Sequence, residues 1–327
     1  MITLRHITVR VILLVMVFGQ TLFLSPMKAG NVVRAAGIPA PWTTTSRGPS
    51  TAHGRLPVLS PRRATKPSSV HSQTVSQPIA PGDLILSLYG PNEVDEYTPS
   101  GAFVQTLMDS SDGLCEPTGS AFDAAGNLYV TDFQCNQILK RDTSGHVSVF
   151  SNDSQLSSPH AFNAPESIAF NPSGTLMYVS NANRGGAGGG INILDAATGN
   201  GIGFLPLPSS DGSDGVAESD WLAFNAEGSL FMTNENPTQG VMQIDSSAGD
   251  IISPSFAANL PNTAYALSFD KNGNIWVADT DRLIEYDPSG ALLQTVTNPN
   301  FSTAFAAVFD PAGTTFYVGD QSNGNVL

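Results

Sequence analysis

The eleven residues Phe122-Asp123-Ala124-Ala125-Gly126-Asn127-Leu128-Tyr129-Val130-Thr131-Asp132 decide the fold, because the chain repeats them. FNPSGTLMYVSN runs from Phe170 to Asn181, FNAEGSLFMTN from Phe224 to Asn234, FDKNGNIWVAD from Phe269 to Asp279 and FDPAGTTFYVGD from Phe309 to Asp320. The second and fifth copies carry one extra turn residue, and the leading Phe residues are 48, 54, 45 and 40 positions apart. Each copy reads as the end of one strand, a turn at Asp/Asn-x-x-Gly, and a second strand that closes on Asp or Asn. Gly and Asn accept the positive φ that such turns require. The second strand (LYV, MYV, LFM, IWV, FYV) is apolar at consecutive positions, as in a strand buried on both faces.

Working outward, each copy continues into a third strand (INILD, LIEYD), a turn such as Asp287-Pro288-Ser289-Gly290, and a fourth strand (ALLQTV, HVSVF). Four strands, here lettered a to d, per ~40–45 residues is the arithmetic of a β-propeller blade. The Phe ending strand a is expected to pack between neighbouring blades. A partial copy lies upstream, where Gly82-Asp83-Leu84-Ile85-Leu86-Ser87-Leu88 aligns without gaps on Gly126–Asp132. It lacks a strand a, and the last copy stops at Asn325-Val326-Leu327. The expectation is an all-β propeller of six four-stranded blades over 83–327. Its last blade is incomplete, as in a truncated gene product, with an open edge prone to pairing.

Only 13% of the 327 residues are charged, with 31 Gly and 23 Pro, which disfavours helical bundles and coiled coils. The net charge of −14 disfavours nucleic acid as a partner. That average conceals a division. Residues 1–82 hold nine Lys or Arg and no acid, whereas 83–327 hold five basic residues and all 28 acidic ones. Met1–Arg10 is short and basic, and Val11–Leu24 is apolar but for Gly19, Gln20 and Thr21. This run is shorter than the ~20 residues of a bilayer span, and the pattern matches a signal peptide over 1–29. Residues 30–82, rich in Pro, Ser, Thr and Arg, read as a disordered basic linker, with cell-surface association as a further use. The expected location is secreted, periplasmic or cell-surface.

The repeats resemble NHL repeats. More loosely, the chain is similar to the six-bladed propellers of gluconolactonases, regucalcin-like proteins and streptogramin lyases. The repeated residues are turn and core residues, so they imply fold rather than activity. Cys115 and Cys135 fall in two loops of one blade that share a face, and an oxidising compartment reached by export predicts a disulfide between them. The Asx closing each strand b (Asp132, Asn181, Asn234, Asp279, Asp320) reads as a local hydrogen-bonding residue. The loops into strand a line a propeller's channel mouth. They carry Glu116, Glu166, Glu218 and Asp220 in three consecutive blades, then Tyr265 and Phe305. Converging carboxylates suit a hard cation such as Ca²⁺. The resemblance to regucalcin-like lactonases singles out Glu166 and Asp220 as metal ligands, with Asn163 or Asn181 as neutral ones. Asp211 and Asp214 add carboxylates nearby, and the run Arg184–Gly190 reads as a b–c loop rather than a phosphate loop. His160 is the one His near a strand-a loop, and the lyase resemblance makes it a catalytic candidate. Three functions follow: an exported scaffold binding a protein or glycan through its loop face, a metal-dependent hydrolase or lactonase, and a lyase using His160.

Overall fold

The computed structural model of the chain describes residues 13–17, 77–156, 160–182, 190–206, 220–233, 240–247, 251–257, 260, 262–310, 315–321 and 325–326. The first sheet contains β1 (Leu13–Val17), β2 (Leu84–Leu88), β3 (Glu93–Tyr97) and β4 (Phe103–Met108). The second contains β5 (Pro117–Phe122), β6 (Leu128–Asp132), β7 (Gln137–Arg141) and β8 (Val147–Asn152). The third contains β9 (Pro165–Phe170), β10 (Leu176–Asn181), β11 (Gly190–Asp195) and β12 (Gly201–Pro206). The fourth contains β13 (Leu222–Phe224), β14 (Leu230–Thr233), β15 (Val241–Ile244) and β16 (Ile251–Ala257). The fifth contains β17 (Ala264–Phe269), β18 (Ile275–Asp279), β19 (Arg282–Tyr286) and β20 (Leu292–Thr297). The last contains β21 (Ala304–Phe309), β22 (Phe316–Asp320) and β23 (Asn325–Val326).

Each sheet is an antiparallel meander in chain order. The first strand of each sheet packs on the first strand of the next, from β1 through β5, β9, β13 and β17 to β21, and β21 packs back on β1. The architecture is therefore a β-propeller, with these strands innermost. Four-stranded blades number five among the described residues, where six blades with the last incomplete were expected. The last sequence copy stops within its third strand, so its sheet has three. The first copy does not lack its inner strand: Leu13–Val17 pairs with β2, Leu13 opposite Leu88 and Val17 opposite Leu84. The same apolar run carries the features of a leader peptide, and apolar character alone does not separate a leader core from a buried strand.

The turns form as their residues dictate. Asp123 accepts from the amides of Ala125 and Asn127, both at 2.9 Å, and Gly126 sits at φ 87°. Asp270 does the same with Asn272 and Asn274, and Asn225 accepts from Ser229. All five residues of β6 and of β18 are buried. The aromatic residue of strand b meets the Phe ending strand a of the next blade, edge to face. Tyr129 lies 5.4 Å from Phe170, Tyr178 5.1 Å from Phe224, Phe231 5.4 Å from Phe269 and Trp276 6.0 Å from Phe309. The core thus consists of clusters between blades, and Leu84, Leu86 and Tyr97 pack with Val308 and Val326 between the last sheet and the first.

Candidate functional site at the channel mouth

The inner strands do not enter the mouth regularly. In β5, β9, β17 and β21 the register slips near the first residues. Ala264 opposes Asp279 and Ala266 opposes Ala278, so Tyr265 is an inserted residue. Phe305 is inserted in the same way in β21. Such bulges re-aim side chains at the rim of a sheet. By equivalence the inserted position is Thr118, Glu166, Asp220, Tyr265 and Phe305 in successive blades. Two further features hold it in place.

The first is a hydroxyl on strand b, one residue before the closing Asx. The Thr131 hydroxyl accepts from the Gly119 amide at 2.7 Å and lies 3.0 Å from the Glu166 carbonyl of the next blade, to which it donates. The Ser180 hydroxyl accepts from the Ser167 amide and donates to the Asp220 carbonyl, at 3.0 and 2.5 Å. Thr233 joins the Trp221 amide to the Tyr265 carbonyl, both at 3.0 Å. Three successive mouth residues are thus fixed by the preceding blade. A Cβ at Gly119 would collide with the Glu166 carbonyl, so this approach requires glycine. Sequence reasoning missed these hydroxyls. The Thr, Ser, Thr series one residue before Asx was the available signal, and Ala278 and Gly319 end it in the last two blades.

The second feature is the closing Asx, which does the local work expected of it at Asp132, Asn181 and Asp320, Asn234 lying outside the described residues. Asp132 accepts from the amides of Cys115 and Glu116, at 3.1 and 3.0 Å, and from the Gln137 side chain. Asp320 accepts from Ser302 and Thr303. Asn181 accepts from the Asn163 amide at 2.9 Å, and its own amide donates to Gly190 and Asn192. Asp279 differs. Burial pushes its pKa up to about 6, against the pull of the Arg282 guanidinium 3.9 Å away.

Glu166 and Asp220 are buried, 6% and 5% exposed, at the inserted position of neighbouring blades. Glu116 precedes β5 and is half-buried. Glu218, Asp211, Asp214 and Arg184–Gly189 lie outside the described residues. Among the described residues, the one group of three or more potential metal-ligating side chains is Cys115, Asp132 and Cys135. Its sulfurs are joined as a disulfide, with Cα atoms 5.9 Å apart. That group contains none of Glu116, Glu166 and Asp220, whose fourth expected companion, Glu218, lies outside the described residues, and the Asn181 side chain bonds backbone and Asn192. On the other side of the mouth, Tyr265 and Phe305 have ring centroids 4.8 Å apart. His160 lies elsewhere. Its ring stacks on Phe204 of β12, an outermost strand, at 4.2 Å and 11°, and its carbonyl accepts from Asn192.

No protein-family model matches the chain, and no curated protein matches it. Solved structures do. A gluconolactonase from Xanthomonas campestris is 16% identical with a TM-score of 0.61, covering 75% of this chain and 80% of its own. Virginiamycin B lyase from Staphylococcus aureus is 16% identical with a TM-score of 0.54, covering 78% and 81%. A chain of a nidogen–laminin complex is 16% identical with a TM-score of 0.53, covering 68% and 79%. The chain shares the propeller fold of these proteins, as its repeats indicated. At such identities the likeness concerns the fold alone, since function resides in the site.

Proposed function

We propose that this chain is an exported, NHL-like propeller that binds a polyhydroxylated ligand of the glycan class at the channel mouth. The observation that carries this reading is the division of the inserted position into Thr118, Glu166 and Asp220 on one side and the mutually tilted rings of Tyr265 and Phe305 on the other. Aromatic rings offer a flat apolar face, and carboxylates accept hydrogen bonds from hydroxyls, which is the pairing a sugar ring requires. We count β21–β23 as a sixth, incomplete blade and residues 1–29 as the export signal. The acidic body leaves the basic tail as the segment suited to an anionic cell surface.

The test is glycan binding to the full chain, by array and then titration. Tyr265→Ala is expected to weaken a bound glycan ~10-fold, in line with the loss of about 1–1.5 kcal/mol of aromatic contact. Glu166→Gln with Asp220→Asn is expected to weaken it further. A second reading is a lactonase-type hydrolase, favoured by two buried carboxylates in neighbouring blades and by the gluconolactonase likeness. Glu218, one of the carboxylates expected at the mouth, lies outside the described residues, and no metal step is drawn for this reading. Lactone hydrolysis by the wild type, lost in Asp220→Asn, would replace the binding reading.

A further inference from the structure

Blade 5 and blade 1 carry the same polar triad on strands b, c and d, with one difference. In blade 5 the Asn274 side-chain amide donates to Glu285 Oε1 at 2.8 Å, and Gln294 donates to Glu285 Oε2 at 2.6 Å. In blade 1, Glu96 occupies the place of Glu285 and Gln105 that of Gln294, donating to Glu96 Oε2 at 2.6 Å. The place of Asn274 is held by Asp83, so two buried carboxyl groups stand where blade 5 has an amide and a carboxylate. Two carboxyl groups bond each other only through a proton, so a protonated Asp83 reproduces what the Asn274 amide does permanently.

The blade-1 triad also has an attachment that blade 5 does not display among the described residues. The Ala80 amide donates to Glu96 Oε1 at 3.0 Å. Gln105 clasps Gln77 from both sides, accepting from its amide at 3.0 Å and donating to its carbonyl at 2.9 Å. Arg141, on β7 of the next blade, donates to the same Gln77 carbonyl at 3.2 Å. Ile79 packs against the apolar cluster between blades 1 and 2. The last residues of the basic tail are therefore fastened across the crevice between these two blades.

We propose that Gln77–Ala80 is a proton-dependent latch, with the Asp83–Glu96 pair as its switch and the Asn274–Glu285 pair as its permanently closed counterpart. The pair is 7% and 0% exposed, so its lone negative charge is already costly and a second one more so. The charges around it are Glu96 on β3 and Arg141 on β7, with Asp142 and Asp112 acting on Arg141 in turn. Asp95, the neighbour of Glu96, is engaged instead with Thr106 at 2.7 Å. Burial, then the Glu96 bond and charge, push Asp83 up to about 6. Release of Gln77–Ala80 would re-expose Asp83 to water, so the latched form holds its proton more tightly than the open form. Latching is favoured at acid pH and is lost as pH rises through about 6.

The test is amide hydrogen exchange of the full chain at pH 5.0 and 7.5, corrected for intrinsic exchange, read at Ala80 and Gln77. An Asp83 at about 6 when latched and at its ordinary value when open gives a roughly tenfold loss of protection over that interval. Asp83→Asn is expected to keep Ala80 protected equally at both pH values, and Glu96→Gln to abolish the pH dependence. Ala80 protection that is absent, or equal at both pH values in the wild type, overturns the proposal. So does an unchanged pH dependence in Asp83→Asn.

Discussion

Thr131 shows how much one side chain can determine in this ring. It links its own inner strand at Gly119 to the Glu166 carbonyl of the next blade, and the same oxygen lies 2.9 Å from the Thr118 hydroxyl. All these groups are buried, so replacing Thr131 with the isosteric Val leaves the Gly119 amide and the Glu166 carbonyl without this partner. A buried unsatisfied group costs about 1–3 kcal/mol. We expect Thr131→Val to lower unfolding free energy by about 2–4 kcal/mol in chemical denaturation. The mouth around Glu166 should loosen, so glycan binding should weaken beyond what the change in folded fraction explains. A variant that loses no stability would mean that the hydroxyl is dispensable to the joint between blades. Ala278 and Gly319 show that the last two blades manage without it, so the link it makes to the next blade in three consecutive blades marks the half of the ring where Glu166, Asp220 and Tyr265 are held.

At the scale of the element, the repeat was legible because its physics is local. An Asx-x-x-Gly turn, a doubly buried strand b and a Phe at the end of strand a each depend on neighbours within a few residues, and all took the expected form. The site was less legible because it depends on the bulge, where one extra residue decides which side chain reaches the mouth. Nothing in the residues around Tyr265 announces that it is inserted between two register positions. Glu116, Glu166 and Asp220 looked alike as acids in loops, yet Glu116 is half-buried before its strand and the other two occupy the inserted position. The Cys pair lies between these cases. Cys115 precedes β5 and Cys135 follows β6, and they join the two loops that flank Asp132. Closing a loop of this size is worth about 3 kcal/mol where unfolded-chain entropy dominates. Cys115→Ser with Cys135→Ser should lower the thermal midpoint by roughly 6–12 °C for a domain of this size. Reductant should produce the same drop in the wild type and none in the variant.

For the whole molecule, the issue is the use of the first thirty residues. Leu13–Val17 forms the inner strand of blade 1, between β21 and β5, and so completes the cycle of inner strands. The same residues are the apolar centre of the segment that reads as an export signal. Removal of a leader at residue 29 and completion of the ring by β1 exclude each other within one chain. Without β1, the innermost position of blade 1 is empty and β2 presents an unpaired edge to the channel, where pairing with another chain becomes possible. Ser87 on β2 fits this geometry. It occupies the place of Thr131, is fully buried, and its hydroxyl makes no hydrogen bond among the described residues. The five-residue ladder between β1 and β2 carries backbone hydrogen bonds worth about 1 kcal/mol each. We therefore expect a chain lacking residues 1–29 to melt at least 6 °C below the full chain, from a loss of about 3 kcal/mol or more. It should also self-associate at concentrations where the full chain stays monomeric, as light scattering would show. Equal melting points and equal mass in solution would mean that blade 1 stands on three strands, leaving residues 13–17 to the export signal alone.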